Sequence, residues 1–191
     1  LQMAFRRLAQ VDGLTGIANR RQFTREAEAV VARSVRDGIP VTLLMFDLDL
    51  FKAINDRHGH AAGDWALRQV ALRCARDLRE GDLFGRLGGE EFAVLLPGLG
   101  REAALAMAER LRAGIEGIDT TPSGARFPIT ASFGLAAGGE ATTDLDALLV
   151  RADRALYRAK RGGRNRVEAE RRKNAGADPE IVPGGSSLAV S

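Results

Sequence analysis

Two short stretches, VTLLMFDLDLF (41–51) and EEFAVLLP (90–97), are apolar at both odd and even positions. Side chains of a strand alternate between its faces, so a strand apolar in both parities is buried on both sides, at the centre of a sheet with helices above and below. Each stretch carries charge at one end. The first closes on Asp47 and Asp49, and the second opens on Glu90 and Glu91. Set antiparallel and side by side, the two strands would bring these carboxylates to one rim of the sheet. There they repel one another unless a cation lies among them. Mg²⁺, which takes one or two protein carboxylates and completes its shell with water and phosphate, suits such a rim. The simpler alternative is an exposed hairpin tip at Gly88-Gly89, with the two glutamates paired to Arg86.

Helical and extended patterns alternate around these strands. Helices are predicted at about 20–37, from Trp65 through WALRQVALRCARDL, at about 101–115, and over LDALLVRADRALYRAKRGG with Gly162-Gly163 as the stop. VDGLTGIANRRQF is a turn-rich junction, NDRHGHAAGD a loop or short helical turn, and DLFGRL, RFPITASFGLAA and NRVEA are predicted strands. Mixing helices with hairpin-linked strands predicts an α/β sandwich with a partly antiparallel sheet. Residues 1–11 carry Met3, Phe5, Leu8 and Val11 at helical spacing and are expected to end an upstream linker helix. Residues 169–191 are polar and rich in glycine and proline, and are expected to form a disordered tail.

At 191 residues, 45% hydrophobic and 28% charged, the chain fits one soluble domain, here placed at 12–168. A single cysteine, Cys74, excludes an internal disulfide and suits a reducing, cytoplasmic setting. No apolar run approaches the roughly 20 residues of a membrane span. The net charge of +3 is concentrated in RAKRGGRNR and ERRK. Without interleaved aromatics this favours a solvated surface or a small anionic ligand over nucleic acid.

The motifs carry a resemblance. GGEEF (88–92) resembles the signature of GGDEF domains, the bacterial diguanylate cyclases, in its GGEEF variant. FDLDLFKAINDRHGHAAGDWAL (46–67) is similar to that family's F-D-x-D-x-F-K-x-I-N-D-x-x-G-H-x-x-G-D block. DGLTGIANRR (12–21) resembles its entry motif, with Ile17 and Ala18 as mild variations, and ADRALYRAKRGGRNRV (152–167) its closing helix. The resemblance implies a nucleotide-cyclase-like fold with a mixed, mostly antiparallel sheet. It also implies an Mg²⁺-dependent homodimer (Mn²⁺ being the other suitable ion) that condenses two GTP into cyclic di-GMP and two pyrophosphates. An upstream sensory or receiver domain would promote dimerisation.

By motif position, Asp47, the Leu48 carbonyl and Glu90 would hold the metal. Glu91 would be a further ligand or help activate the 3′-hydroxyl. Gly88 and Gly89 would admit the nucleotide to the backbone, and Asn55 and Asp64 would read guanine, whose N1–H and 2-amino group suit a carboxylate. Lys160 and Arg164, one helical turn apart, would grip the phosphates, with Lys52 a weaker candidate. Arg79 and Asp82 match the R-x-x-D inhibitory site that binds product, and Arg110 could complete a clamp. The plainer readings are that Asn55 and Asp64 cap turns and the helix at Trp65, that Lys160 and Arg164 compensate a helix dipole, and that Arg79 and Asp82 form an exposed turn. Asp49, His58 and His60 are read as structural, and Asp153 as half of an internal ion pair. A non-catalytic cyclic di-GMP receptor using Arg79 and Asp82 is the competing function. Intact acidic and guanine-reading positions speak against it.

Overall fold

The computed structural model describes residues 10–139 and 143–171. The expected linker helix (apart from its last two residues, 10 and 11) and most of the expected tail lie outside them. In chain order the elements are β1 (Ala18–Asn19), α1 (Arg20–Arg36), β2 (Val41–Leu48), α2 (Phe51–His58), α3 (His60–Ala75), β3 (Leu83–Gly88), β4 (Glu91–Pro97) and α4 (Arg101–Glu116). A 3₁₀ turn (Thr121–Ser123), β5 (Ala131–Gly138), α5 (Leu145–Arg161) and β6 (Val167–Ala169) follow. The six strands form one sheet in the order β1-β3-β4-β2-β5-β6. The four central strands pair antiparallel, and the short edge strands β1 and β6 pair parallel.

The two-faced strands do lie at the centre. Leu44, Phe46 and Leu48 of β2 and Phe92, Val94 and Leu96 of β4 face α2, α3 and α4, while Leu43, Met45, Ala93 and Leu95 face α1 and α5. Across the first face the rings of Phe92, Phe46 and Phe133 stack from strand to strand, with centroids 5.1 and 4.5 Å apart. Such pairs add about 0.5–1.5 kcal/mol each beyond their buried area. On the other face α5 sits close against β5 because position 134 is glycine: a Cβ there would stand 2.1 Å from the Ala152 carbonyl oxygen.

Three boundaries differ from expectation. NDRHGHAAGD is largely helical: α2 and α3 are interrupted only at Gly59, whose φ of +89° breaks the run, so α3 begins at His60 and not Trp65. The extended segment 126–137 enters the sheet only at Ala131, after the chain has passed Pro128. The hairpin loop is Gly89-Glu90 instead of Gly88-Gly89, since Gly88 still pairs with Glu91.

Candidate active site

The rim predicted from the two central strands exists. Asp47 lies directly opposite Glu91 in the β2–β4 ladder, and the Leu48 amide donates to the Glu90 carbonyl across the same end. Asp47 points to the α1/α5 side, and Lys160 of α5 places its ammonium on Oδ2 of that carboxylate. The other oxygen, Oδ1, is buried without a partner among the described residues. Burial pushes the Asp47 carboxyl above its ordinary range; Lys160 opposes that shift, and Glu91 and Glu90 add to it. This carboxylate is thus held in a place where it is only half compensated. Lys160, read as a phosphate cation, is here engaged with the expected metal ligand, a contact 113 residues apart that no local pattern reveals.

The hairpin tip does not match the plain alternative. Arg86 pairs with Asp12 at 3.0 Å and donates to the Gly89 carbonyl at 2.8 Å, and among the described residues no glutamate is its partner. Asp12 also accepts from the amide and hydroxyl of Thr15. The DGLTG turn is therefore the strut that holds the GGEE turn in place. Burial alone would raise the Asp12 carboxyl, but the hydrogen bonds from Thr15 and Arg86 outweigh it and hold the group below its usual range. Gly88 (φ +150°) and Gly89 (φ +48°) adopt backbone geometry that side chains resist, so conformation alone already calls for glycine here.

Asn55 lies on α2, and its Oδ1 is the other buried side-chain oxygen without a partner among the described residues. It fits there because position 63 of α3 is glycine; a Cβ would come within 1.9 Å of that oxygen. Sequence reading passed over Gly63, although it lies within the quoted long block. Asp64 follows it, exposed and in the second turn of α3, so it does not cap that helix. Lys52 is exposed and pairs with Asp56 at 2.5 Å. Arg164 lies beyond the end of α5 and not within it, with φ of +63°, exposed and with no side-chain partner among the described residues.

Asp49 is structural, as read: it is buried and accepts from Thr130, Ser132 and the Asn165 amide. His58 stacks on Phe127. Asp153 corrects the reading of an internal ion pair: it is exposed at the mouth of a cavity of about 340 Å³ lined also by Arg20, Phe23, Met45 and Glu91, and no cation pairs with it among the described residues. Arg79 and Asp82 bind each other. The buried Asp82 carboxylate accepts from the Arg79 amide at 2.8 Å and its guanidinium at 3.2 Å, within a turn that is otherwise exposed. Arg110 is turned instead to the Asp77 carbonyl and the Met107 sulfur.

A metal fits the donors present, on the strength of the orphaned Asp47 oxygen and the hard oxygens beside it. Among the described residues no three His, Cys, Asp or Glu side chains converge as a closed metal cage. No helix among the described residues is long and apolar enough to cross a membrane.

Comparison with known proteins gives a consistent result. The family described as "Diguanylate cyclase, GGDEF domain" matches residues 9–166. The chain is 45% identical over 163 residues to the response regulator PleD of Caulobacter vibrioides and 46% identical over 165 residues to the diguanylate cyclase DgcP of Pseudomonas aeruginosa. These alignments take in 84% and 85% of this chain but only 36% and 24% of those proteins. Among solved structures, the coiled coil and GGDEF domain of DgcB from Caulobacter crescentus in complex with c-di-GMP superposes with a TM-score of 0.81 at 33% identity, covering 88% of this chain and 89% of that one.

Proposed function

The chain belongs to the GGDEF-domain family, and from that premise we propose that it is a diguanylate cyclase, with Gly88–Phe92 as a GGEEF form of the signature. It condenses two GTP into cyclic di-GMP. The 3′-hydroxyl of one GTP attacks the α-phosphorus of the other, the bond to the pyrophosphate oxygen breaks, the hydroxyl proton is lost, and two such steps close the ring. The observation that carries this reading is the pair of orphaned buried oxygens, Asp47 Oδ1 and Asn55 Oδ1. Buried polar atoms are rarely left unpaired, so two of them at the positions expected for metal and base point to a missing ligand.

Asp47 and Glu90, with the Leu48 carbonyl, would hold Mg²⁺ or Mn²⁺. The ion supplies charge neutralisation on the triphosphate. Asn55 and Asp64 read guanine, while Lys160, Arg164 and the weaker candidate Lys52 meet the phosphates. Lys160 moves from Asp47 to do so, exchanging one anion for another. Glu91, beside Asp47, takes a place in the second acidic role, as a ligand or as the group that draws the proton from the 3′-hydroxyl. One such site holds one GTP, so the active species is a homodimer with two domains face to face.

Product inhibition works through Arg79 and Asp82. Because each occupies the other, product must open that pair, with Arg79 turning to guanine and phosphate. The chain spans about a third of PleD and a quarter of DgcP. An upstream sensory or receiver module, by analogy with a response regulator, would govern dimerisation, and the domain would work in the bacterial cytoplasm. The test is GTP turnover with Mg²⁺, nucleotides being separated by chromatography and Glu90→Ala serving as control. Cyclic di-GMP made by the native chain and not by the variant supports the cyclase. Cyclic di-GMP binding without turnover, at concentrations where dimers form, replaces it with the receptor.

A further inference from the structure

We propose that Asp49 and Asn165 form a latch that positions Arg164 for the substrate phosphates, an inference that rests on the cyclase reading above. The turn between α5 and β6 carries two consecutive non-glycine residues at positive φ, Arg164 at +63° and Asn165 at +44°. Such a conformation persists only where the surroundings over-determine it, and it clusters at sites where geometry matters. Here the turn is tied at every residue. The Arg164 amide donates to the Ala159 carbonyl, closing the end of α5. The Asn165 amide donates to Asp49 Oδ2 at 2.9 Å. The Asn165 side chain accepts from Arg112 at 2.7 Å and donates to Glu116 at 2.9 Å. The Arg166 carbonyl accepts from the Phe133 amide.

Asp49 is the inner end of the latch. It is 8% exposed and takes hydrogen bonds from the hydroxyls of Thr130 at 2.8 Å and Ser132 at 2.6 Å, besides the Asn165 amide. It stands two residues after Asp47, so one short segment, where the chain leaves β2, anchors both the metal side and the phosphate side of the site. Amid these ties the Arg164 side chain is exposed and unpartnered among the described residues. With the backbone fixed, gripping a phosphate orders only the Arg164 side chain and not the turn that carries it, which is what preorganisation contributes to binding. Asp49 and Asn165 are positioning residues in this account and touch no substrate themselves.

The experiment measures the affinity of the native chain and its variants for a GTP analogue that cannot be cyclised, by calorimetry. Arg164→Ala and Asp49→Ala each weaken binding about tenfold, the loss expected of one charge-assisted contact. The double variant binds no worse than Arg164→Ala alone, because Asp49 acts through Arg164. Asp49→Asn retains most of the affinity, since its amide oxygen still accepts from Asn165 while its NH₂ meets Ser132. Mn²⁺ affinity is unchanged in Asp49→Ala, which separates the latch from a role at Asp47. Should Asp49→Ala not fold, Asn165→Gly tests the other end. Glycine accepts the positive φ but gives up the ties to Arg112 and Glu116, so GTP affinity falls, with no added loss in the Arg164→Ala background. An Arg164→Ala variant that binds like the native chain overturns the phosphate role of Arg164 and the latch with it. A loss in Arg164→Ala that neither latch variant shares, or losses that add, overturns the latch alone.

Discussion

Asp47, the proposed metal ligand, shows how a buried carboxylate is maintained against its own energetics. Its carboxyl is raised by burial, so the folded state favours the protonated form and ionisation costs stability as pH climbs through the ordinary carboxylate range. Asp47→Asn is expected to abolish turnover yet stabilise the metal-free domain by about 1 kcal/mol at pH 7, in the manner of stability traded for activity. Thermal melts at pH 4 and pH 7 check this: the advantage of the variant grows with pH and is small where Asp47 is already protonated. That carboxylates would crowd one rim was legible in the sequence, because strand alternation and two-faced burial leave few arrangements. That Lys160 would sit on Asp47 was not, since a contact across 113 residues depends on how α5 docks. The partnership of Asp49 with Asn165 escaped notice for the same reason. Asp153 was misread because an acidic residue on a helix says nothing about which face the helix buries.

At the scale of elements, the α2–α3 pair and the DGLTG strut each turn a local rule into a functional geometry. Gly63→Ala puts a methyl group where Asn55 Oδ1 stands, 1.9 Å from the ideal Cβ. GTP affinity is expected to fall about tenfold or more as the amide is displaced, and calorimetry with the uncyclisable analogue reads it directly. The helices were half seen: their apolar residues were evident, but a polar, glycine-bearing segment such as NDRHGHAAGD reads as loop until tertiary packing overrides propensity. The strut yields a pH prediction of opposite sign to that of Asp47. The Asp12 carboxyl is held low despite burial, so its contribution is present above the ordinary carboxylate range and is lost as pH falls through its lowered value. Asp12→Ala is expected to cost about 1–3 kcal/mol at pH 7, because Arg86 and the Thr15 amide lose their acceptor. Urea unfolding at pH 7 and pH 3 should show that cost shrink in acid.

For the whole molecule, the sandwich and the central place of β2 and β4 were readable from hydrophobic patterning, their antiparallel pairing was a supposition that the ladder bears out, and the two-residue and three-residue edge strands β1 and β6 are too short to carry a period. On the proposed dimeric mechanism, turnover per domain rises with protein concentration until dimers saturate. Rates measured over a dilution series, with cyclic di-GMP removed enzymatically as it forms, would expose a monomeric mechanism by staying flat. On the proposed product inhibition, Arg79→Ala abolishes a late slowing of the native chain as cyclic di-GMP accumulates; slowing that persists in the variant overturns the role of Arg79.

The sheet order also has a mechanical consequence. β1 and β6 occupy opposite edges, five strand spacings of about 4.8 Å apart. Tension applied between residues 11 and 169 is therefore borne by the two shortest, parallel-paired strands, the weaker kind of pairing. These edges act as fuses: they would peel at low load while the β4–β2–β5 centre, which carries Asp47 and Glu91, keeps its register.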